Sequence, residues 1–150
     1  LTQAFQLLKH AGLYRWLTLL LHTSTAPRPG ALKLLKRGLS RAFFLETLAR
    51  KSLQQVDPQA AYLIGLLSVS GDLLNLPLDQ AINRLKLSAQ IKSALIEQKG
   101  TGGLMLKLAS AAENSDQQAI ENLAARCLVS SVDVNLAMIN ALVLTETTPL

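Results

Sequence analysis

Apolar residues in this chain return every third or fourth position, and no segment sustains a two-residue alternation of apolar and polar side chains. A period near 3.6 marks helices with one buried face, whereas a half-buried strand would alternate. Thirty-four of the 150 residues are Leu and 19 are Ala, both good helix formers. Aromatic residues make up only 4% and the other strand-favouring types are sparse. An all-α fold is expected. The length suits one domain of the usual ~100–200 residues. Charged residues are 17% of the chain, below the roughly 25% of ordinary soluble domains, so disorder is excluded and much of the surface must be covered.

Punctuation divides the chain into about eight helices of an irregular domain rather than a four-helix bundle. Leu7, Leu8, Trp16, Leu17, Leu20 and Leu21 share a face over residues 2–22, followed by a Pro- and Gly-containing linker, Thr23–Gly30. A helix is expected from Ala31 to Leu53, with Gly38 and Ser40 a point of division. Asp57-Pro58 is a start signal for a nearly all-apolar helix, Gln59–Val69, that Gly71 should stop. Pro77 opens a short helix to Leu85, and Ser88 caps Ala89–Gln98. Gly100, Gly102 and Gly103 read as a hinge loop before Leu104–Ala112. That glycine run is no phosphate loop, because no strand precedes it and no GK[ST] follows. A capping-box pattern from Ser115 starts Asp116–Leu128, and Ser130 or Ser131 begins a last helix ending near Leu144. No repeat of 30–50 residues is visible, which disfavours a solenoid.

Chemistry is limited by supply. One Cys (Cys127) and two His (His10, His22) rule out a disulfide framework and fit a reducing, cytoplasmic setting. On one helix the two His would stand about 18 Å apart, too far to share an ion. No nucleophile elbow exists, so a Ser-His-Asp hydrolase is not expected. Cys127 falls on an apolar helix face and reads as an inert buried thiol. Glu46 and Arg50, spaced i,i+4, read as a surface ion pair. The N-terminus lacks the order of a signal peptide, and no apolar run reaches the roughly 18–20 residues of a membrane span. Helical periodicity begins at Leu1 without Met or cap, so an upstream segment is expected.

Net charge is +5, with a cluster of Arg28, Lys33, Lys36, Arg37, Arg41, Arg50 and Lys51. Aromatic side chains are not interleaved with these cations as a base-stacking surface requires, so a solvated helix face is expected rather than a nucleic-acid interface. Lys33, Arg37, Arg41 and Tyr14, the last in the first helix beside Arg15 and Trp16, are the candidate contacts for a partner or ligand. An apolar face awaiting a partner is expected near the N-terminus or along the last helix, where Val132, Val134, Leu136, Ile139, Leu142 and Val143 crowd two faces.

Four strings, AFQLLKHAGLYRWLTLLL (Ala4–Leu21), SRAFFLETLAR (Ser40–Arg50), AYLIGLLSVSGDLLNLPLDQAI (Ala61–Ile82) and LKLSAQIKSALIEQKGTGGLMLKL (Leu85–Leu108), resemble in order and spacing the HDOD domain. This relative of the HD superfamily forms the C-terminal part of bacterial EAL–HDOD cyclic-di-GMP signalling proteins. The resemblance covers roughly residues 4–115. It implies one HDOD-like helical domain over 1–150, with an EAL-type domain upstream. Ser68 and Val69 stand where an active HD hydrolase carries its metal-binding His-Asp pair. Gln98 and Lys99 stand where related chains often carry His-His, and Lys9 where they often carry Gly. A hydroxyl and a branched aliphatic supply neither the charge nor the donors a divalent metal needs. The resemblance therefore implies a non-enzymatic regulatory domain without cofactor, docking to an EAL-type domain, a signalling partner or a second copy. A nucleotide bound in the emptied hollow through Arg37, Arg41 or Lys99 is the alternative, and a basic nucleic-acid-binding domain a third.

Overall fold

A computed structural model describes residues 30–83, 85 and 87–148; the expected first helix and linker, with His10, Tyr14, Trp16 and His22, lie outside the described residues. Eight helices and no strand occur among the described residues: α1 (Ala31–Lys51), α2 (Pro58–Leu67), α3 (Ser70–Leu74), α4 (Leu78–Asn83), α5 (Ala89–Ile96), α6 (Gly100–Glu113), α7 (Gln117–Arg126) and α8 (Ser131–Thr147). The all-α expectation holds, in a form compatible with an HD-like helical domain.

Several start signals act as read. Asp57 accepts a hydrogen bond from the Gln59 amide at 3.0 Å, with Pro58 in the first turn of α2. Ser88 caps α5 through the Ile91 amide. Ser130 and Asp133 form a reciprocal capping box at α8. At α7 the cap is Asp116, which accepts from the Ala119 amide, while Ser115 serves the end of α6 instead.

Three expectations are corrected. First, α1 runs unbroken through Gly38 and Ser40, and Gly38 marks a close approach: a Cβ there would stand 2.6 Å from a Val69 methyl. Second, Gly71 does not stop the apolar segment. α2 ends at Leu67, and α3 then carries Gly71 inside it until Asn75, at φ 55°, ends the turn. Asn tolerates the left-handed region because its short amide bonds locally. Third, the glycine run is no hinge. Gly100 to Gly103 form the first turn of α6, where the glycines let Ile64 and the Gln98 backbone pack closely.

The core explains the order of elements. Leu45, Leu48, Leu67, Ile82, Met105 and Leu108 are fully buried at its centre. A second cluster joins Leu35, Leu39, Ala42, Tyr62, Leu66, Val69 and Leu73. α1 is the spine: it packs most extensively on α2, then on α8. Gly65 makes the α1–α2 crossing possible, since a Cβ there would meet the backbone of Arg41 and Ala42 at 2.6 Å. Tyr62 meets Phe43 edge to face, ring centroids 5.8 Å apart.

Candidate functional site

The close crossing of α1 and α2 brings Arg41 to the end of α2. Its guanidinium donates two hydrogen bonds to Glu113 on α6, at 2.8 and 2.9 Å, and a third to the Ser68 hydroxyl at 3.1 Å. Ser68 in turn donates to the Gly65 carbonyl at 2.7 Å. One half-buried cation therefore ties together α1, α2 and α6. Bidentate pairing of this kind is geometrically specific and stronger than a neutral hydrogen bond. Arg41, named from the sequence as a ligand contact, is thus engaged inside the molecule. Sequence reasoning missed Glu113: it lies 72 positions from Arg41, and no local pattern links the two.

Val69, next to Ser68, is 1% exposed and belongs to the second core cluster. Gln98 and Lys99 lie elsewhere. Gln98 sits at φ 52° after α5. Lys99 is exposed and pairs with Glu97 at 2.6 Å, and that hydrogen bond with its charge raises the ammonium pKa. Lys99 borders a hollow of about 250 Å³ with Asp57, Ala60 and Gln90, whereas the Ser68 hydroxyl is engaged by Arg41 and Gly65. Among the described residues, no three His, Cys, Asp or Glu converge where a metal ion could be held.

Two hollows share Ser40, Arg41 and Glu113. One, of about 460 Å³, is polar and is completed by Arg37, Ser110 and Asn114. The other, of about 340 Å³, is apolar, walled by Phe44 and Ala109 on one side and Met138, Ile139 and Leu142 on the other. The Arg41–Glu113 pair lines both. Lys33 and Arg37 are exposed on α1. The first is followed one helical turn later by the second, so both are on the same side.

The apolar face expected on the last helix is present. Val132, Leu136, Ile139, Leu142 and Val143 are more than half exposed, Ile139 at 60%. Val134, grouped with them from the sequence, faces inward instead at 1% exposure. The buried stripe of α8 is made only of Val134, Ala137, Ala141 and Thr145. Cys127, at the turn before α8, is fully buried, and its desolvation pushes the thiol up to about 11. Arg50 and Glu46 form their i,i+4 pair at 3.0 Å on the surface. Among the described residues, no single helix is long and apolar enough to cross a membrane.

No family model matches the chain, and no solved structure matches it. Among curated proteins it is similar to the cyclic di-GMP phosphodiesterase CdgJ of Vibrio cholerae, with 32% identity over 96 residues. The match takes in 64% of this chain but 22% of that protein, so the chain spans about a fifth of the length of the curated relative it matches.

Proposed function

We propose that this chain is a non-catalytic, HDOD-type signal-transduction domain that works by docking within a cyclic-di-GMP signalling protein or onto its partners. An EAL-type domain is the first candidate for what it docks to. The similarity to a cyclic di-GMP phosphodiesterase supports the pathway. The Arg41–Ser68–Glu113 network supports the absence of catalysis, and it is the observation that carries the reading.

At the two positions where the family resemblance would put a metal-binding pair stand a hydroxyl and a buried aliphatic. The hydroxyl is held by a guanidinium, a permanent cation whose charge repels a second one. Glu113, the acid beside it, already spends both oxygens on that guanidinium. These residues do not fit a divalent metal.

Titration calorimetry with Mn²⁺, together with hydrolysis assays on bis-p-nitrophenyl phosphate and cyclic-di-GMP, tests the reading. No stoichiometric binding and no metal-dependent turnover are expected. Either one, measured on the purified chain, overturns it.

A second reading, nucleotide sensing, is favoured by the polar hollow. Arg37 is exposed at its edge, with Ser40, Ser110 and Asn114 as further hydrogen-bonding groups. Heat on titrating cyclic dinucleotides or guanosine tetraphosphate, abolished by Arg37→Ala, would establish it. Lys99 borders the separate hollow of about 250 Å³ beside Asp57 and Gln90 and would not contribute.

A further inference from the structure

We infer that the cleft between α6 and α8 binds an anionic amphiphile, with a carboxylate head at Arg37 and a hydrocarbon tail of medium length against Phe44. This goes beyond the docking reading without resting on it, and it gives the polar hollow an occupant other than a nucleotide.

The cleft exists because two helices share a support and avoid each other. α6 and α8 both pack on α1, yet they make little contact with one another. The stripe of α1 left between them is Arg37, Ser40, Arg41 and Phe44, spaced at helical intervals that put all four on one face. Over this stripe, about 10 Å long, the surface changes from a cation to an aromatic ring. The polar hollow lies at the Arg37 end and the apolar hollow at the Phe44 end, and Ser40, Arg41 and Glu113 border both.

Small side chains make the apolar end concave. Ala109, Ala112 and Ala141 line it beside Phe44, and all four residues are buried. Any larger side chain at those alanines would occupy the space. Met138, Ile139 and Leu142 form an exposed rim. At about 340 Å³ the hollow falls in the size range of ligand sites, which are mostly apolar with a few polar groups that fix orientation. Water fits such a wall poorly, because it needs several polar partners.

Charge selects the head. Glu113 spends both carboxylate oxygens on Arg41, so that pair is internally balanced. Arg37 is exposed, lines the polar hollow and has no hydrogen-bond or ion-pair partner among the described residues. Lys33, one turn earlier, adds a second positive charge on the same side. A guanidinium so placed pairs with a planar carboxylate through two parallel hydrogen bonds. The walls select the tail. A purine inserted beside Phe44 and three alanines would leave its edge nitrogens and oxygens without partners, a penalty that a hydrocarbon chain does not incur. Met138, unbranched and flexible, adapts to such a chain.

Calorimetry on the whole chain at neutral pH, with hexanoate, octanoate and decanoate below their micellar concentrations, tests this. One equivalent is expected to bind, about fourfold tighter for each added methylene. Arg37→Gln should weaken decanoate about fivefold and leave decanol, the same chain without the charge, unchanged. Ala112→Leu should weaken both by at least about tenfold, because the added carbons occupy the hollow. Met138→Trp narrows the mouth from an exposed position and should weaken both as well, without disturbing the core. Circular dichroism and melting temperature of each variant separate lost binding from lost folding.

A wild-type chain that does not bind decanoate overturns the inference. So does binding of several equivalents that neither Ala112→Leu nor Met138→Trp weakens, the mark of adsorption on the outer face of α8. An Arg37→Gln chain that loses decanoate and decanol alike, or neither, also overturns it. Heat from cyclic-di-GMP with none from decanoate overturns it while the nucleotide reading stands.

Discussion

Helices α2 and α8 are both apolar on almost every side, and the fold treats them oppositely. α2 buries Ala61, Tyr62, Ile64, Gly65, Leu66 and Leu67, enclosed by α1, α5 and α6. α8 is seven residues longer and buries four, none larger than Val. Apolar composition sets a demand for burial, and only the neighbours' geometry meets it. Around α2 the glycines at 38 and 65 draw α1 in until backbones touch. Around α8, α1 and α7 are the described helices that pack closely, and they cover one side.

That contrast can be broken by experiment. Leu67→Ala in α2 should cost about 2–5 kcal/mol of stability in urea unfolding, while Leu142→Ala in α8 should stay within about 0.5 kcal/mol. Equal losses would mean that the two helices are buried alike. Gly65→Ala should cost about 1–3 kcal/mol, because a methyl there pushes α1 off α2. The buried Cys127 gives an alkaline signature. Its folded thiol titrates near 11 and an unfolded one near 9.0, so its contribution is complete below pH 9 and falls away as pH rises toward 11. Cys127→Ala should flatten that limb of the stability curve.

Smaller effects sharpen the comparison at the helix ends. Ser130→Ala should cost about 1 kcal/mol by removing the cap of α8. Asp133 titrates below the usual carboxylate range because the Ser130 amide donates to it. Its share of stability is therefore present above that range and disappears as pH falls through the depressed value. Asp133→Ala should remove this acid-side slope. Ser115, exposed at φ 54°, ends α6 in a conformation that favours Gly. Ser115→Gly should add about 0.5 kcal/mol, read as a raised melting temperature.

These cases also show what was legible in the sequence. Local chemistry was: Asp57-Pro58, Ser88 and Ser130 each announce a helix because capping is settled within three residues. Gly71 misled because Asn75, four positions on, could take the same left-handed turn. Gly100–Gly103 misled because glycines serve close packing as readily as flexibility, and the difference lies in a neighbour such as Ile64. The apolar face of α8 was visible as crowding, but its inward-facing member, Val134, was not distinguishable until α1 supplied a direction for the core. The Arg41–Glu113 pair was invisible for the same reason. Two ordinary surface-type residues become a crosslink only once three helices have converged.

α8 is attached unevenly along its length. Its entry is fastened at the corner after α1: Ser52 donates to the Cys127 carbonyl at 2.7 Å, and Gln54 donates to that of Arg126 at 3.2 Å. Beyond the corner, the helix is held mainly by two alanines, a valine and a threonine, which bury little area. Such a helix opens well below the cost of global unfolding. Its amide protons should exchange with deuterium sooner than those of α2, from the Thr147 end inward. Whatever covers the outward face would then slow that exchange, so α8 reports on its own occupancy.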